Sequence, residues 1–209
     1  MKASDLSTLI HRLNSPLPGW EAQKVLSPVK SERYRLNEAS SKKAGVLALL
    51  FPDKNKHLQL VFIKRPDINP LDKHSGQVSF PGGKYEVNDI DLSDTAIREA
   101  HEEIGLIKND IQIIGHLSPI YVFVSNFLVQ PTVAYIDYSP NFILQESEVD
   151  YIITAPIFTL LEPSTIKQMN LTIRGIEMKN VPYFNLDGEI LWGATAMITS
   201  ELIHVIREI

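Results

Sequence analysis

The chain of 209 residues is 44% hydrophobic and 22% charged, with a formal net charge of −5. This size and composition favour a single globular domain. The acidic balance argues against a nucleic-acid-binding protein, which requires a basic surface. The sequence has no cysteine, which excludes disulfides, thiolate metal sites and cysteine nucleophiles.

The sequence also predicts a cytoplasmic protein. No apolar run reaches the roughly 18 to 20 residues that a membrane-spanning helix needs. The segment from Met1 to Asp5 lacks the long apolar core of a signal peptide. We therefore expect neither a membrane nor a nucleic acid as a partner.

Residues 1–44 are expected to form a helical arm that packs on a domain of residues 45–209. A short amphipathic helix is predicted over residues 4–13, where Ser4 or Asp5 is positioned to cap it. The apolar side chains spaced for one face of this helix are Leu6, Leu9, Ile10 and Leu13.

The remainder of the arm, residues 20–43, is polar and has little periodicity, so it predicts at most one further helix or strand. Three of its residues are basic: Lys30, Arg33 and Arg35. They are either phosphate contacts or ordinary solvated charges, and the sequence leaves both interpretations open.

The middle of the chain predicts mostly strands. Apolar runs at 45–51 and 58–63, joined by a turn-rich connector, are typical of a hairpin of buried strands. Further strands are predicted at 74–80, 111–117, 126–135, 171–174, 181–184 and 189–192. Turns are expected at Lys179–Asn180 and Asp187–Gly188, and a helix at 193–209. Strands interrupted by helices without regular alternation indicate an α+β fold.

One predicted helix, around residues 93–104, places three carboxylates together. Glu102 and Glu103 come three and four residues after Glu99, so the three side chains crowd onto one side. The apolar residues Ile97, Ala100 and Ile104 line the opposite side. Ser93 or Asp91 is positioned to cap the start of this helix, and Gly105 to end it in the left-handed conformation.

Carboxylates at this spacing repel one another, and a hard divalent cation relieves that repulsion because Mg²⁺ prefers oxygen ligands. The alternative is a solvated acidic face on which Arg98 pairs with Glu102. The glutamates alone do not decide between these two interpretations.

Residues Gly83 and Arg98 to Leu106 resemble the Nudix box, G-x5-E-x7-R-E-U-x-E-E-x-G-U, in which U is apolar. The second half matches at each position when Ala100 counts as apolar. The first half departs from the pattern: the interval from Gly83 to Arg98 is one residue longer, and Asp89 stands where Glu is expected.

The longer interval is similar to that of the coenzyme A pyrophosphatase branch of Nudix proteins. An upstream signature of that branch, L-x-x-H-x-G-Q-x-x-F-P-G-G, resembles residues 71–83, which include His74, Gln77 and Phe80. Two adjoining motifs in the right order make the resemblance specific. It covers roughly Val46 to the end of the chain.

The resemblance implies a Nudix fold, in which a mixed sheet lies between helices and a loop-helix-loop carries the site. It implies a Mg²⁺- or Mn²⁺-dependent centre whose ligands are Glu99, Glu102, Glu103 and the carbonyl of Gly82. Glu99 is either a ligand or the group that helps deprotonate water. Arg98 is expected to brace the glutamates by ion pairing.

A further carboxylate ligand is expected from the acidic stretch after the central strands. Glu148 is our candidate and Glu146 the alternative, and a solvated loop is an equal possibility. By the same resemblance, substrate contacts are expected from His74 and Gln77, although His74 is equally a local hydrogen-bonding residue. Arg65, Lys64 and Lys84 are candidates for binding the substrate's phosphates, a task suited to Arg, and the two lysines are as readily ordinary surface charges. His101 occupies a variable position of the box and is expected to have no role.

The implied reaction is hydrolysis of the diphosphate of coenzyme A or its thioesters, giving 3′,5′-ADP and 4′-phosphopantetheine or its acyl form. Another diphosphate, such as ADP-ribose, NADH or a dinucleoside polyphosphate, is the alternative, because the box defines the metal centre and not the flanking groups. A non-catalytic nucleotide-binding module is a third reading. The partner is a small nucleotide in each case, and the oligomeric state, for which a homodimer is one option, stays open.

Overall fold

The structure, a computed structural model, describes residues 5–29, 40–68, 74–173 and 176–209. The helices are α1 (Leu6–Leu13), α2 (Trp20–Gln23), α3 (Leu92–Ile104), α4 (Ile157–Leu161) and α5 (Gly193–Arg207). The strands before α3 are β1 (Lys42–Pro52), β2 (Leu58–Lys64), β3 (Val78–Ser79) and β4 (Gly82–Lys84). Those after it are β5 (Gln112–His116), β6 (Ile120–Val122), β7 (Phe127–Tyr135), β8 (Tyr151–Pro156), β9 (Ile166–Ile173), β10 (Ile176–Leu186) and β11 (Glu189–Leu191).

The larger sheet is mixed and is built around the β1–β2 hairpin, which confirms the hairpin predicted from the two apolar runs. β7 runs parallel to β1, and β8 runs antiparallel to β2. β7 and β8 therefore occupy the outer edges of the hairpin. β3 pairs with β2 and β4 pairs with β1 along the inner edges, so both short strands lie between β1 and β2 at the open end of the hairpin. The segment that joins β3 to β4 is therefore held in the split between β1 and β2.

Alternate residues of the hairpin face two apolar clusters, as the period of a strand requires. Leu47 and Leu49 of β1 belong to the cluster that α3 covers with Ala100 and Ile104. Leu50 of β1 belongs to the other cluster, which contains residues of α1 and α5. Helices thus lie on both faces of a mixed sheet, and the predicted α+β class is confirmed.

The helix α2 is tied to the rest of the fold by a buried carboxylate of α5, and α1 by apolar packing. Glu201 accepts hydrogen bonds from Gln23 Nε2 (2.9 Å), Gly19 N (3.1 Å) and Ser118 N (3.2 Å). Leu9 of α1 is fully buried in the same cluster as α5. The division of the chain into an arm and a domain at residue 44 stays a prediction.

One strand prediction was wrong in part, and one turn prediction was wrong. In the 74–80 segment the chain turns first, with Gln77 N donating to the carbonyl of His74 (3.2 Å), and only Val78–Ser79 is extended. Lys179–Asn180 lies inside β10 and does not form a turn. Asn180 adopts a φ of 55° at a bulge, where its N–H donates to Asn170 Oδ1 (3.2 Å).

The predictions for Ser4, Lys30, Arg33 and Arg35, and for residues 71–73 of the upstream signature, lie outside the described residues. None of the described helices combines the length and apolar composition that crossing a membrane requires.

The position of α3 on the sheet is set by direct contact between backbones. A Cβ atom placed on Gly45 of β1 would lie 2.0 Å from the carbonyl oxygen of Leu92, in the first turn of α3. A Cβ on Gly82 of β4 would lie 2.4 Å from the carbonyl oxygen of Gly45. Glycine at these two positions lets β1, β4 and α3 meet without side chains between them.

Candidate active site

The helix α3 carries the three glutamates and is fixed at both ends. Asp91 is its N-cap, and Oδ1 of Asp91 accepts hydrogen bonds from Ser93 N (2.8 Å) and Asp94 N (2.9 Å). At the other end Gly105 is left-handed, with a φ of 71°, and its N–H donates to the His101 carbonyl (3.0 Å). Both caps were predicted from the sequence. Of the two candidates for the N-cap, Asp91 and Ser93, the structure has Asp91.

Glu103 lies at the buried end of the carboxylate group, with 1% of its side chain exposed. The N–H of Gly82 donates to Glu103 Oε2 (2.9 Å), and Nη1 of Arg65 lies 3.7 Å from Glu103 Oε1. Burial raises the pKa of Glu103 to about 8, although these two partners favour its charged form, and the charges of Glu99 and Glu148 raise it further. Burial thus favours the protonated form of Glu103, and a cation placed beside it would favour the charged form.

Arg98 holds the other two glutamates. Its Nη1 donates to Glu99 Oε1 (2.9 Å) and to Glu102 Oε2 (3.1 Å). Glu99 is mostly enclosed, and burial raises its pKa despite the hydrogen bond from Arg98. Glu102 is different, since 54% of its side chain is exposed. The three carboxylates therefore range from buried to exposed, with Glu103 beside Arg65 and the other two bound to Arg98.

The opposite edge of Arg98 is bound by Asp89. Nε of Arg98 donates to Asp89 Oδ1 (2.8 Å) and its Nη2 donates to Oδ2 (3.0 Å), which makes a bidentate pair. Asp89 Oδ2 also accepts from Thr95 Oγ1 (2.8 Å) and from Glu86 N (2.9 Å). The Arg98 guanidinium and these donors hold the pKa of Asp89 well below its usual range, even though Asp89 is buried.

The segment that carries Glu148 is attached to the C-terminal end of α3. Ile143 N donates to the Ile104 carbonyl (3.0 Å), and Gln145 N donates to the Glu103 carbonyl (2.9 Å). The charge of Glu148 raises the pKa of both Glu99 and Glu103. Glu146, in contrast, lines a surface depression together with Ile143 and Asp150.

The residues expected to contact substrate fall into two groups. The guanidinium of Arg65 lies beside Glu103, and the backbone N–H of Arg65 donates to the carbonyl of Gln77 (3.0 Å). A hydrogen bond links His74 Nδ1 to Gln77 Oε1 (3.0 Å), so these two side chains form one unit. Lys84 is exposed, and it contributes its carbonyl to Arg98 Nη2 (3.1 Å). His101 is exposed on α3, with Nδ1 2.7 Å from the Leu106 carbonyl.

The donor chemistry of this group suits a hard divalent cation, because each candidate ligand is an oxygen and the carboxylates repel one another. Across the described ranges, no three His, Asp or Glu side chains already converge on one point as a ligand set. Glu99 and Glu102 turn toward Arg98, and one oxygen of Glu103 is engaged by Gly82. Holding a cation therefore requires Glu99 and Glu102 to turn from Arg98 toward Glu103.

The NUDIX domain profile matches residues 41–157, a span that includes β1, the glutamate-bearing helix α3 and β8. The chain belongs to the Nudix hydrolase family. Its Nudix fold, predicted from the resemblance, is confirmed. The NUDIX domain of Shewanella oneidensis NrtR, complexed with ADP ribose, shares this fold with a TM-score of 0.51 at 14% identity, over 81% of this chain and 88% of that one.

Sequence relatives confirm the coenzyme A pyrophosphatase-like branch of the Nudix family. The chain is 36% identical over 141 residues to the peroxisomal coenzyme A diphosphatase NUDT7 of Mus musculus, a match that covers 68% of this chain and 58% of the mouse protein. It is 30% identical over 197 residues to the uncharacterized Nudix hydrolase NudL of Yersinia pestis (strain Pestoides F), covering 94% and 92% of the two chains. The match with the mouse protein thus spans less than two thirds of its length.

Asp89 is the residue of this Nudix site that sequence reasoning missed. It appeared only as a departure from the box, because Glu was expected at that position. The signal that points to it is the extra residue between Gly83 and Arg98, which lengthens the loop that brings Asp89 back to the arginine. Asp89 binds one edge of the Arg98 guanidinium through Nε and Nη2, and Glu99 and Glu102 bind its Nη1.

Gly83 keeps the Nudix glutamate Glu99 in position, which gives a first prediction. A Cβ atom at Gly83 would lie 2.4 Å from Glu99 Cδ and Oε1. The displaced group is the end of a flexible side chain, so Gly83→Ala is expected to change the free energy of unfolding by less than about 1 kcal/mol. Turnover is expected to fall by about 10²-fold, since a misplacement of about 1 Å at a reacting centre has that cost.

Urea unfolding and steady-state kinetics of Gly83→Ala measure the two effects separately. Ser139→Ala is the control, because Ser139 is exposed and lies outside the carboxylate group. Turnover by Gly83→Ala at the wild-type rate would show that the position of the Glu99 carboxylate is not critical.

Proposed function

We propose that this Nudix protein hydrolyses the diphosphate linkage of coenzyme A or its thioesters, giving 3′,5′-ADP and 4′-phosphopantetheine or its acyl form. The observation that supports this proposal is the physical joining of the two sequence motifs. The Gln77 carbonyl of the upstream signature accepts from Arg65 N, and the Arg65 guanidinium faces Glu103 of the box. The coenzyme A diphosphatase name of the mouse relative agrees with it.

The residues that would hold Mg²⁺ or Mn²⁺ are Glu99, Glu102, Glu103, the Gly82 carbonyl and Glu148. When bound, the ion would neutralise phosphate charge and make a nearby water more acidic. Arg65 stands at the inner end of the carboxylate group and is placed to bind a phosphate of the substrate, a task suited to a planar guanidinium.

The chemistry needs a proton acceptor for the attacking water. Burial raises the pKa of Glu99, which makes its carboxylate a better base than an exposed glutamate. As the water oxygen bonds to one phosphorus, its proton passes to Glu99 and the bridging P–O bond breaks. The bridging oxygen leaves with the other phosphate, so the two products carry separate phosphate ends. In the structure Glu99 is hydrogen-bonded to Arg98, whose other edge is bound by Asp89.

A substrate panel tests this proposal. The purified protein is incubated with Mg²⁺ or Mn²⁺ and equal amounts of coenzyme A, acetyl-coenzyme A, ADP-ribose, NADH and a diadenosine polyphosphate, and the products are identified by mass spectrometry. Preferential formation of 3′,5′-ADP is the expected result. Preferential cleavage of ADP-ribose or NADH would retain the hydrolase centre and reject coenzyme A as the substrate. No turnover of any compound would favour a nucleotide-binding module.

Glu148 and Glu146 give a second prediction, because only one of them is expected to serve the site. Glu148→Gln is expected to raise the metal concentration needed for half-maximal turnover by about tenfold, which corresponds to about 1.4 kcal/mol. Glu146→Gln is the matched control, since it is an exposed glutamate of the same segment. Metal titrations of both variants measure the difference. Equal titration curves for Glu148→Gln and wild type would remove Glu148 from the ligand set.

The small nucleotide partner is part of this proposal. The cytoplasmic location expected from the sequence stays a prediction, and the mouse relative is named as a peroxisomal protein.

A further inference from the structure

A cleft of about 340 Å³ lies on the face of the large sheet opposite to α3. Its walls come from the end of β2, the turn before β3 and the three-stranded sheet β9–β10–β11. The residues that line it include Lys64, Gln77, Met169, Leu171, Glu189 and Trp192. The volume lies at the lower end of the range for small-molecule sites, about 300 to 1,000 Å³.

The cleft and the glutamate site lie at the same end of β2. Lys64 and Arg65 are consecutive, and side chains of consecutive residues in an extended chain point to opposite faces. Lys64 lines the cleft, while Arg65 reaches Glu103 on the other face. Gln77 connects the two places, because it lines the cleft and its carbonyl accepts from Arg65 N. A substrate whose diphosphate lies at Arg65 therefore has the cleft within reach around the β3 turn.

The charge of the cleft decides which part of a substrate it suits. Nζ of Lys64 lies 2.9 Å from Glu189 Oε2, and Tyr151 OH donates to Glu189 Oε1 (2.6 Å). Glu189 thus neutralises Lys64, and the wall carries no net charge. A phosphate would face the Glu189 carboxylate, which repels it. An uncharged chain with amide groups would not be repelled. Its N–H groups could donate hydrogen bonds to the Glu189 carboxylate and the Gln77 side-chain carbonyl.

The rest of the wall is apolar. Met169 and Leu171 of β9 and the indole of Trp192 offer surface to alkyl groups. An occupant that combines alkyl segments with amides matches both parts of the lining. The nucleotide end of the substrate, which carries a 3′-phosphate, does not match the neutral wall.

We propose that this cleft binds the pantetheine arm of the substrate, the uncharged amide-and-alkyl chain attached to the diphosphate. The inference rests on the proposed function, because it assigns one part of coenzyme A to a place in the fold. It makes the three-stranded sheet β9–β11 the element that distinguishes coenzyme A from shorter diphosphates.

Filling the cleft tests the proposal. Ile190 of β11 also lines it and is 42% exposed, so Ile190→Trp adds bulk without disturbing the core. The matched control is Ile113→Trp on β5, where the isoleucine is 43% exposed. Each variant is assayed with coenzyme A and with a truncated substrate, the β-methyl ester of 3′-phosphoadenosine 5′-diphosphate, which keeps the nucleotide and the diphosphate and lacks the arm.

Ile190→Trp is expected to lower kcat/KM for coenzyme A by about tenfold and to leave kcat/KM for the truncated substrate unchanged, because only the longer substrate uses the cleft. Ile113→Trp is expected to change neither value. Met169→Trp, on a different strand, repeats the measurement if Ile190→Trp proves unstable in a thermal melt. An unchanged value for coenzyme A, or an equal fall for both substrates, would overturn the assignment of the cleft.

A binding measurement separates this inference from the proposed function. Saturation-transfer NMR with pantetheine alone reports on the cleft without turnover, and Ile190→Trp is expected to abolish the signal seen with wild type. If wild type does not cleave coenzyme A, the proposed function fails whatever the binding result. If wild type cleaves coenzyme A and pantetheine binds Ile190→Trp as it binds wild type, the proposed function stands and the pantetheine assignment fails.

Discussion

Glu102→Gln is expected to lower kcat by about 10²- to 10⁴-fold while the protein stays folded. Glu102 is the most exposed of the three box glutamates, and its one hydrogen bond to Arg98 is that of a surface pair, worth about 0–1 kcal/mol. Removing its charge leaves the apolar face of α3 intact. The loss therefore falls on the electrostatics of the site, where a divalent cation and a diphosphate must be held together.

Steady-state kinetics over a range of Mg²⁺ and Mn²⁺ concentrations, with urea unfolding in parallel, provide the measurement. The control is Glu162→Gln, which removes an exposed carboxylate outside the site. A second readout is Mn²⁺ binding by calorimetry, which is expected to weaken in Glu102→Gln and not in Glu162→Gln. Full turnover by Glu102→Gln would contradict the metal centre in every enzymatic interpretation of this chain.

Asp89→Asn is expected to lower the free energy of unfolding by about 3 kcal/mol at neutral pH, because it breaks a buried ion pair and leaves Arg98 with less compensation. Asp89 is buried and binds Arg98 through two hydrogen bonds. Its pKa lies well below the usual value in the folded protein. The stabilisation is therefore complete above the pKa of the unfolded chain, near 4, and is lost as the pH falls through the pKa of the folded state.

Urea unfolding at about pH 7 and about pH 3 tests this expectation. The difference between wild type and Asp89→Asn is expected to be large at neutral pH and to shrink in acid. Asp137→Asn is the matched control, since Asp137 is exposed. A difference that stays constant across this pH range would mean that Asp89 contributes through packing and not through its charge.

The carboxylate helix was the most predictable part of the fold, because its signals are local. The N-cap at Asp91, the left-handed Gly105 and the spacing of the glutamates can each be read within one stretch of chain. The different burial of the neighbours Glu102 and Glu103 could not be read in the same way. It depends on where β4 passes the helix and on the Gly82 N–H, which are decided by tertiary packing.

The strand pairings were less predictable for a similar reason. The β1–β2 hairpin is local and was found, whereas the parallel pairing of β1 with β7 joins distant parts of the chain. The turn assigned to Lys179–Asn180 followed from a residue type that favours turns. In the structure Asn180 uses that same tolerance of positive φ at a bulge in a continuing strand.

The meeting of backbones at Gly45 has a consequence for motion. With no side chain between β1 and the first turn of α3, there is no soft layer that would let the helix slide on the sheet. Local opening of α3 must therefore break the β1–β4 pairing with it, so amide hydrogens of β4 and of the first turns of α3 are expected to exchange with solvent as one unit. The backbone that carries the glutamates is therefore held as firmly as the sheet. Any adjustment during turnover is expected to occur in the glutamate side chains.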